Sequence, residues 1–194
     1  RIPMGYDTVE KLATPEVNDE FKGEIVPSAG AEIYLRHDLT LAPVKAYLWK
    51  GVEGAKEKEF GKVIITKEFA SGEEMIVKPG ETLVVDFGQN CAGVPSCVFK
   101  AFEGTQLACL PSELLNDGNG AENRGMDGPE GSVHRLNLRI PETGMLLDYT
   151  FGGGNDYVAY HPSHTFYGYR FVSITATDEV SIKSLTSIPV TSIA

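Results

Sequence analysis

Along most of the chain, apolar and polar residues alternate with period two or gather into short apolar runs between turn residues. Successive side chains of a strand point to opposite faces, so this pattern is the signature of β-structure. It predicts strands at Ala31–Arg36, Val44–Trp49, Gly61–Phe69, Glu74–Val77, Thr82–Phe87, Gly93–Ala101 and Thr105–Pro111. Others are expected at Ser132–Ile140, Met145–Thr150, Asp156–His161, Tyr169–Ala176 and Val180–Ile188. Lys78-Pro79-Gly80-Glu81 suits a tight turn, with proline fixing φ and glycine supplying a positive one. Phe102-Glu103-Gly104 and Thr177-Asp178-Glu179 read as short hairpin links. Helical spacing is scarce; the best stretch, Asp7 to Asn18, is interrupted by Pro15. About twelve short strands with close turns predict an all-β fold, an antiparallel β-sandwich of jelly-roll type with little or no helix. Residues 1–194 are read as one domain, with 1–30 an irregular leading segment.

Composition narrows the function classes. The hydrophobic share of 42% is enough for a sizeable core, and no apolar run approaches the ~18–20 residues of a membrane span. Membrane insertion is therefore not expected. A net charge of −10 argues against nucleic acid and anionic surfaces as partners, while leaving a neutral glycan open. Cys91, Cys97 and Cys109 are an odd count, so at least one thiol is free, and their spacing fits no zinc signature. They read as small buried hydrophobes. The chain opens without Met and stops after a strand-like run, which leads us to expect a piece of a longer protein.

One interruption stands out, Pro111 to Gly131, rich in Gly, Asn and acids. Loops of this length are often functional. Asn116-Asp117-Gly118-Asn119-Gly120 has the oxygen donors a hard cation wants, but not the regular spacing or closing Glu of a helix–loop–helix site. The readings are a turn, a metal site or a sugar contact, with Glu113, Asn116, Asp117, Asn119, Asn123, Arg124 and Asp127 as candidate ligand-binding residues. No cofactor is expected; calcium is the one ion those donors would suit. Glycoside hydrolysis uses two placed carboxyls. Glu113, Asp117, Glu122 and Asp127 are available, and we read them as solvated loop acids. None of His37, His134, His161 and His164 lies near a G-x-S-x-G elbow. Aromatics offer faces for sugar stacking, but Tyr169 and Phe171 are expected to share one core-facing side of a strand, and Trp49 lies in an apolar strand. We assign no catalytic residue.

Two segments carry a family resemblance. Asp86-Phe87-Gly88-Gln89-Asn90-Cys91-Ala92-Gly93 resembles the "DFGQN-x-x-G" stretch of bacterial α-L-rhamnosidases, glycoside hydrolase family 78. His161-Pro162-Ser163-His164-Thr165-Phe166-Tyr167-Gly168-Tyr169-Arg170-Phe171-Val172 is similar to their "P-x-F-T-Y-H-G-F-R-Y-V" stretch. Between them, Glu113, Leu115, Asn116 and Gly118 match "R-x-A-E-x-L-N-x-D-G". The chain departs in reading Phe166-Tyr167-Gly168 where the family has tyrosine-histidine-glycine, and in a longer insertion around Gly125–Gly131.

The resemblance implies the concanavalin-like β-sandwich that precedes the catalytic helical barrel, with the barrel itself absent. It implies a non-catalytic accessory domain that docks and shapes that barrel, and an exported parent. The alternative is a carbohydrate-binding module for rhamnosylated glycans. Asp86, Gly88, Gln89, Asn90, Gly93, Gly168 and Arg170 are then structural motif residues. Arg170, set in an aromatic strand, is expected to anchor a carboxylate such as Glu113 or Asp86.

Overall fold

The computed structural model describes residues 32–118, 126–135, 146–154 and 156–193. The leading segment 1–30 therefore lies outside the described residues. Ten strands run through them in chain order: β1 (Tyr34–Leu35), β2 (Lys45–Glu53), β3 (Lys62–Glu68), β4 (Met75–Val77), β5 (Thr82–Ala101), β6 (Gln106–Ser112), β7 (Leu147–Thr150), β8 (Val158–Tyr160), β9 (Tyr167–Ala176) and β10 (Val180–Thr191). The only helical element among them is a three-residue 3-10 turn, His37–Leu39. All strand pairings are antiparallel.

The strands among the described residues differ from the expected ones in two places. Thr82–Phe87 and Gly93–Ala101 belong to one strand, because Phe87–Asn90 bulge out of the ladder with β9 and the pairing resumes at Cys91. Ser132–Arg135 form loop, with only an isolated bridge between Val133 and Leu115; the rest of that expected strand lies outside the described residues.

The sandwich is built around β5. Its first half lies between β2 and β9, with β3 beyond β2, and β6 and β7 beyond β9. Its second half lies between β10 and β8, with β1 and β4 on the far side of β10. Leu83 and Val85 of the first half share one core cluster with Cys97 and Phe99 of the second. The sheet thus curls on itself and encloses that core between its halves.

The half containing β2, β5, β9 and β6 carries buried residues on both faces. Ala46, Leu48, Val85, Val172, Ile174 and Cys109 face the main core, while Tyr47, Val84, Phe171 and Leu110 form a second, smaller cluster on the outer face. That is why Leu83-Val84-Val85 is an unbroken apolar run rather than an alternating one. Tyr169 and Phe171 do not share a face as expected: Tyr169 lies in the main core and Phe171 in the outer cluster. The ladder between β5 and β9 loses register between these residues, and the strand turns there.

Local chemistry sets the turns. Glu81 N–H donates to Lys78 O at 3.0 Å, and Gly80 takes a φ of 77° in the link before β5. In the core, the Tyr169 hydroxyl donates to Ser187 Oγ at 2.6 Å, and Ser187 also meets the Cys91 thiol. All three cysteines are free; Cys97 and Cys109 are buried and Cys91 is half-buried. Burial pushes the Cys109 thiol up to about 12 and the Cys97 thiol well above its ordinary value.

Candidate functional site

The bulge in β5 creates a polar cluster on an otherwise apolar ladder. Asp86 pairs with Phe171 and Cys91 with Tyr169, so five steps along β5 span what two steps span on β9. The extra backbone has to turn. Gly88 does so at a φ of 81°, and its N–H donates to Asp86 Oδ1 at 2.7 Å. Across the ladder, Arg170 Nε and Nη2 donate to the two oxygens of Asp86, each at 2.8 Å. This two-point geometry is the strong form of an ion pair. Of the two carboxylates open to Arg170 in the sequence, the structure places it on Asp86.

The pair is well insulated on one side. The Asp86 side chain is 15% exposed and that of Arg170 41%. Burial alone would raise the Asp86 carboxyl. The hydrogen bonds from Arg170 and the Gly88 N–H, with the charges of Arg170 and Lys45, outweigh burial and hold it below its ordinary value. The Arg170 guanidinium, raised by the hydrogen bond to Asp86, also lies 4.9 Å from the centre of the Phe171 ring.

Neighbouring motif residues join the cluster. Asn90 Nδ2 donates to Glu113 Oε1 at 3.2 Å, tying the bulge to the segment that follows β6. Gln89 and Asn90 are exposed. Gly93 is required for close approach, since a Cβ there would stand 2.8 Å from Ile188 O of β10. Gly168 has no such neighbour; a Cβ would meet only Glu113 Oε1 at 3.6 Å, an ordinary contact.

One apolar side chain rests on this cluster, and two more are exposed close by along the chain. Val44, 67% exposed, rests over Gly88. Phe166 and Gly168 are exposed on either side of buried Tyr167, and Arg170, where the strand turns, is half-buried. Phe166 and Leu114 are about half exposed. Sequence reasoning missed Val44 and Lys45. Their signal was only an apolar-basic pair at the head of a strand.

The loop candidates separate into two groups. Asn116 is buried and saturated by its own loop: its amide donates to Ser132 Oγ and Val133 O, and its oxygen accepts from the Asp127 N–H. Asp127 accepts from the Arg135 N–H at 2.6 Å. These bonds fold the loop over the outer cluster, where the buried Tyr47 hydroxyl, pushed up to about 12 by burial, donates to Gly131 O. Glu113 instead belongs to the bulge cluster. Asp117 lies on the loop surface, and Asn119, Asn123 and Arg124 lie outside the described residues. Among the described residues, no three His, Cys, Asp or Glu converge to hold a metal ion.

Comparison with known proteins gives this geometry a setting. Residues 76–191, more than half of the chain, match the family described as the bacterial alpha-L-rhamnosidase concanavalin-like domain. An alpha-L-rhamnosidase of Alteromonas sp. (strain LOR) is 30% identical over 99 residues, 51% of this chain and 9% of that protein. One from Streptomyces avermitilis is 30% identical over 115 residues, 59% of this chain and 10% of that protein. The chain thus spans about a tenth of the length of these relatives. In structure it is similar to a rhamnosidase from Klebsiella oxytoca solved with rhamnose bound, at a TM-score of 0.53 and 11% identity, covering 84% of this chain and 30% of that one. At that identity the likeness concerns the fold.

Proposed function

From the premise that the chain belongs to the bacterial α-L-rhamnosidase concanavalin-like domain family, we propose that it is a non-catalytic accessory sandwich of an α-L-rhamnosidase-like glycoside hydrolase. Its task is to dock against the catalytic domain of the parent chain and hold that domain in shape. The observation that carries this reading is the bulge face: a two-point Arg170–Asp86 pair and an Asn90–Glu113 bond, with exposed Val44 over Gly88 and exposed Phe166 and Leu114 close along the chain to Gly168 and Glu113. Apolar and aromatic residues around a fixed arginine are the make-up of protein interfaces.

The same geometry argues against chemistry at this cluster. Glycoside hydrolysis needs one carboxyl kept protonated to deliver its proton. Asp86 is held in the opposite state, below its ordinary value, with Arg170 on both oxygens. The experiment uses the full-length protein that carries this chain. Val44→Asp and Phe166→Asp are expected to lower hydrolysis of an aryl α-L-rhamnoside and to split the melting of the two domains. Meanwhile, the 194-residue chain bearing the same substitutions melts as the parent does. Full-length activity and melting unchanged by both substitutions would sink the docking role, and turnover by the 194-residue chain alone would sink the non-catalytic one.

A further inference from the structure

A second surface, away from the bulge, carries a different kind of chemistry. On the outer face of the sheet, Trp49 of β2 pairs with Thr82 of β5, and Thr175 of β9 pairs with Ala108 of β6. Thr82 and Thr175 are themselves neighbours, one step beyond the Leu83–Ile174 pair. These four residues form a straight row across four strands. Ser173 lies two residues along β9 from Thr175. The folded loop stands against this shelf, with Asp127 and Arg135 in its wall, and the two together enclose a cleft of about 510 Å³.

The shelf is not a finished core. Thr175 is exposed and Thr82 half-buried. The buried indole N–H of Trp49 has no hydrogen-bond partner among the described residues, and Thr82, Ser173 and Thr175 line the same cleft. Adjacent strands lie about 4.8 Å apart, so the two threonine hydroxyls stand at roughly the separation of alternate hydroxyls on a pyranose ring. An aromatic ring at one end offers a face for the C–H side of such a ring. The wall supplies one carboxylate and one guanidinium, so no net charge selects an ionic ligand.

We propose that this cleft binds a neutral saccharide of one or two units, with Trp49 as the stacking wall and Thr82, Ser173 and Thr175 as the hydrogen-bonding floor. The inference does not depend on the docking role, since the two surfaces share no residue. Trp49 is the only tryptophan of the chain, so its emission reports on the cleft directly. The test titrates the 194-residue chain with L-rhamnose, D-galactose and D-glucose and follows that emission. A saturable change is expected with at least one sugar, at a dissociation constant on the order of 1 mM. Thr175→Val removes an exposed hydroxyl at constant shape and is expected to weaken that binding about fivefold. Ala108→Leu fills the floor and is expected to abolish it, and Arg170→Ala leaves it unchanged. No saturable response to any of the three sugars overturns the proposal. So does a response that persists undiminished in both Thr175→Val and Ala108→Leu.

Discussion

Arg170 holds both carboxylate oxygens of Asp86 at 2.8 Å, across the point where β5 and β9 fall out of register. The contact replaces ladder hydrogen bonds that the bulge has removed. It therefore fastens the sheet where the backbone alone cannot.

Removing one partner leaves the other stranded. In Arg170→Ala the Asp86 carboxylate, only 15% exposed, keeps its charge without its main partner. The midpoint of thermal unfolding is expected to fall by roughly 3–6 °C. Arg170→Lys should recover only part of this, because an ammonium cannot bond both oxygens in plane. A double-mutant cycle with Asp86→Asn checks the pairing: the two losses should be clearly less than additive. Simple additivity would mean that the pair contributes little.

The same pair makes stability depend on acidity in one direction. Asp86 is lowered in the folded chain from an ordinary value of 3.8, so below that value the unfolded form binds more protons. Its contribution is fully present above about 3.8 and is lost as the pH falls through the lower, folded value. Urea midpoints measured between pH 5 and 2.5 should therefore decline more steeply for the parent chain than for Asp86→Asn. Parallel curves would contradict this.

Three motif glycines should behave differently under one methyl group. Gly88→Ala forces a side chain into a φ of 81° and against Val44. Gly93→Ala drives a Cβ to 2.8 Å from the Ile188 carbonyl, which only backbone movement can relieve. Each is expected to cost about 1–3 kcal/mol in equilibrium unfolding. Gly168→Ala meets only the end of Glu113 and should stay within about 0.5 kcal/mol of the parent. An equal cost at all three positions would show that the contacts described do not set the tolerance.

Thiol chemistry reads the core. Cys97 and Cys109 are buried, and burial holds both thiols in the unreactive protonated form at neutral pH. A disulfide reagent at pH 8 should leave both unmodified in the native chain and label all three cysteines in denaturant. Peptide mass mapping assigns the sites. Fast native labelling of Cys109 would show that the core opens at β6.

Most strands were legible because period-two alternation and turn residues are local signals. What escaped was whatever depended on distant partners. Asp86-Phe87-Gly88-Gln89-Asn90 looks like a turn between two strands, since nothing local reveals that β9 and β10 keep the backbone extended on either side. Asn116 looks like a ligand residue of a polar loop. Its burial follows only once Ser132, Val133 and Asp127 fold back over the outer cluster. Arg170 could be matched to a carboxylate by type, but choosing Asp86 over Glu113 required the register of two strands. Trp49 reads as core by its strand, whereas the cleft beside it forms from a loop about 80 residues away along the chain.

β5 passes through both layers of the sandwich as one unbroken backbone. A load applied to either layer is carried along this strand into the other by covalent bonds rather than by side-chain packing. The layers cannot slide past each other there without breaking hydrogen bonds along its length. That makes β5 the tension member of the sandwich, with the Arg170–Asp86 clamp set where its first half ends.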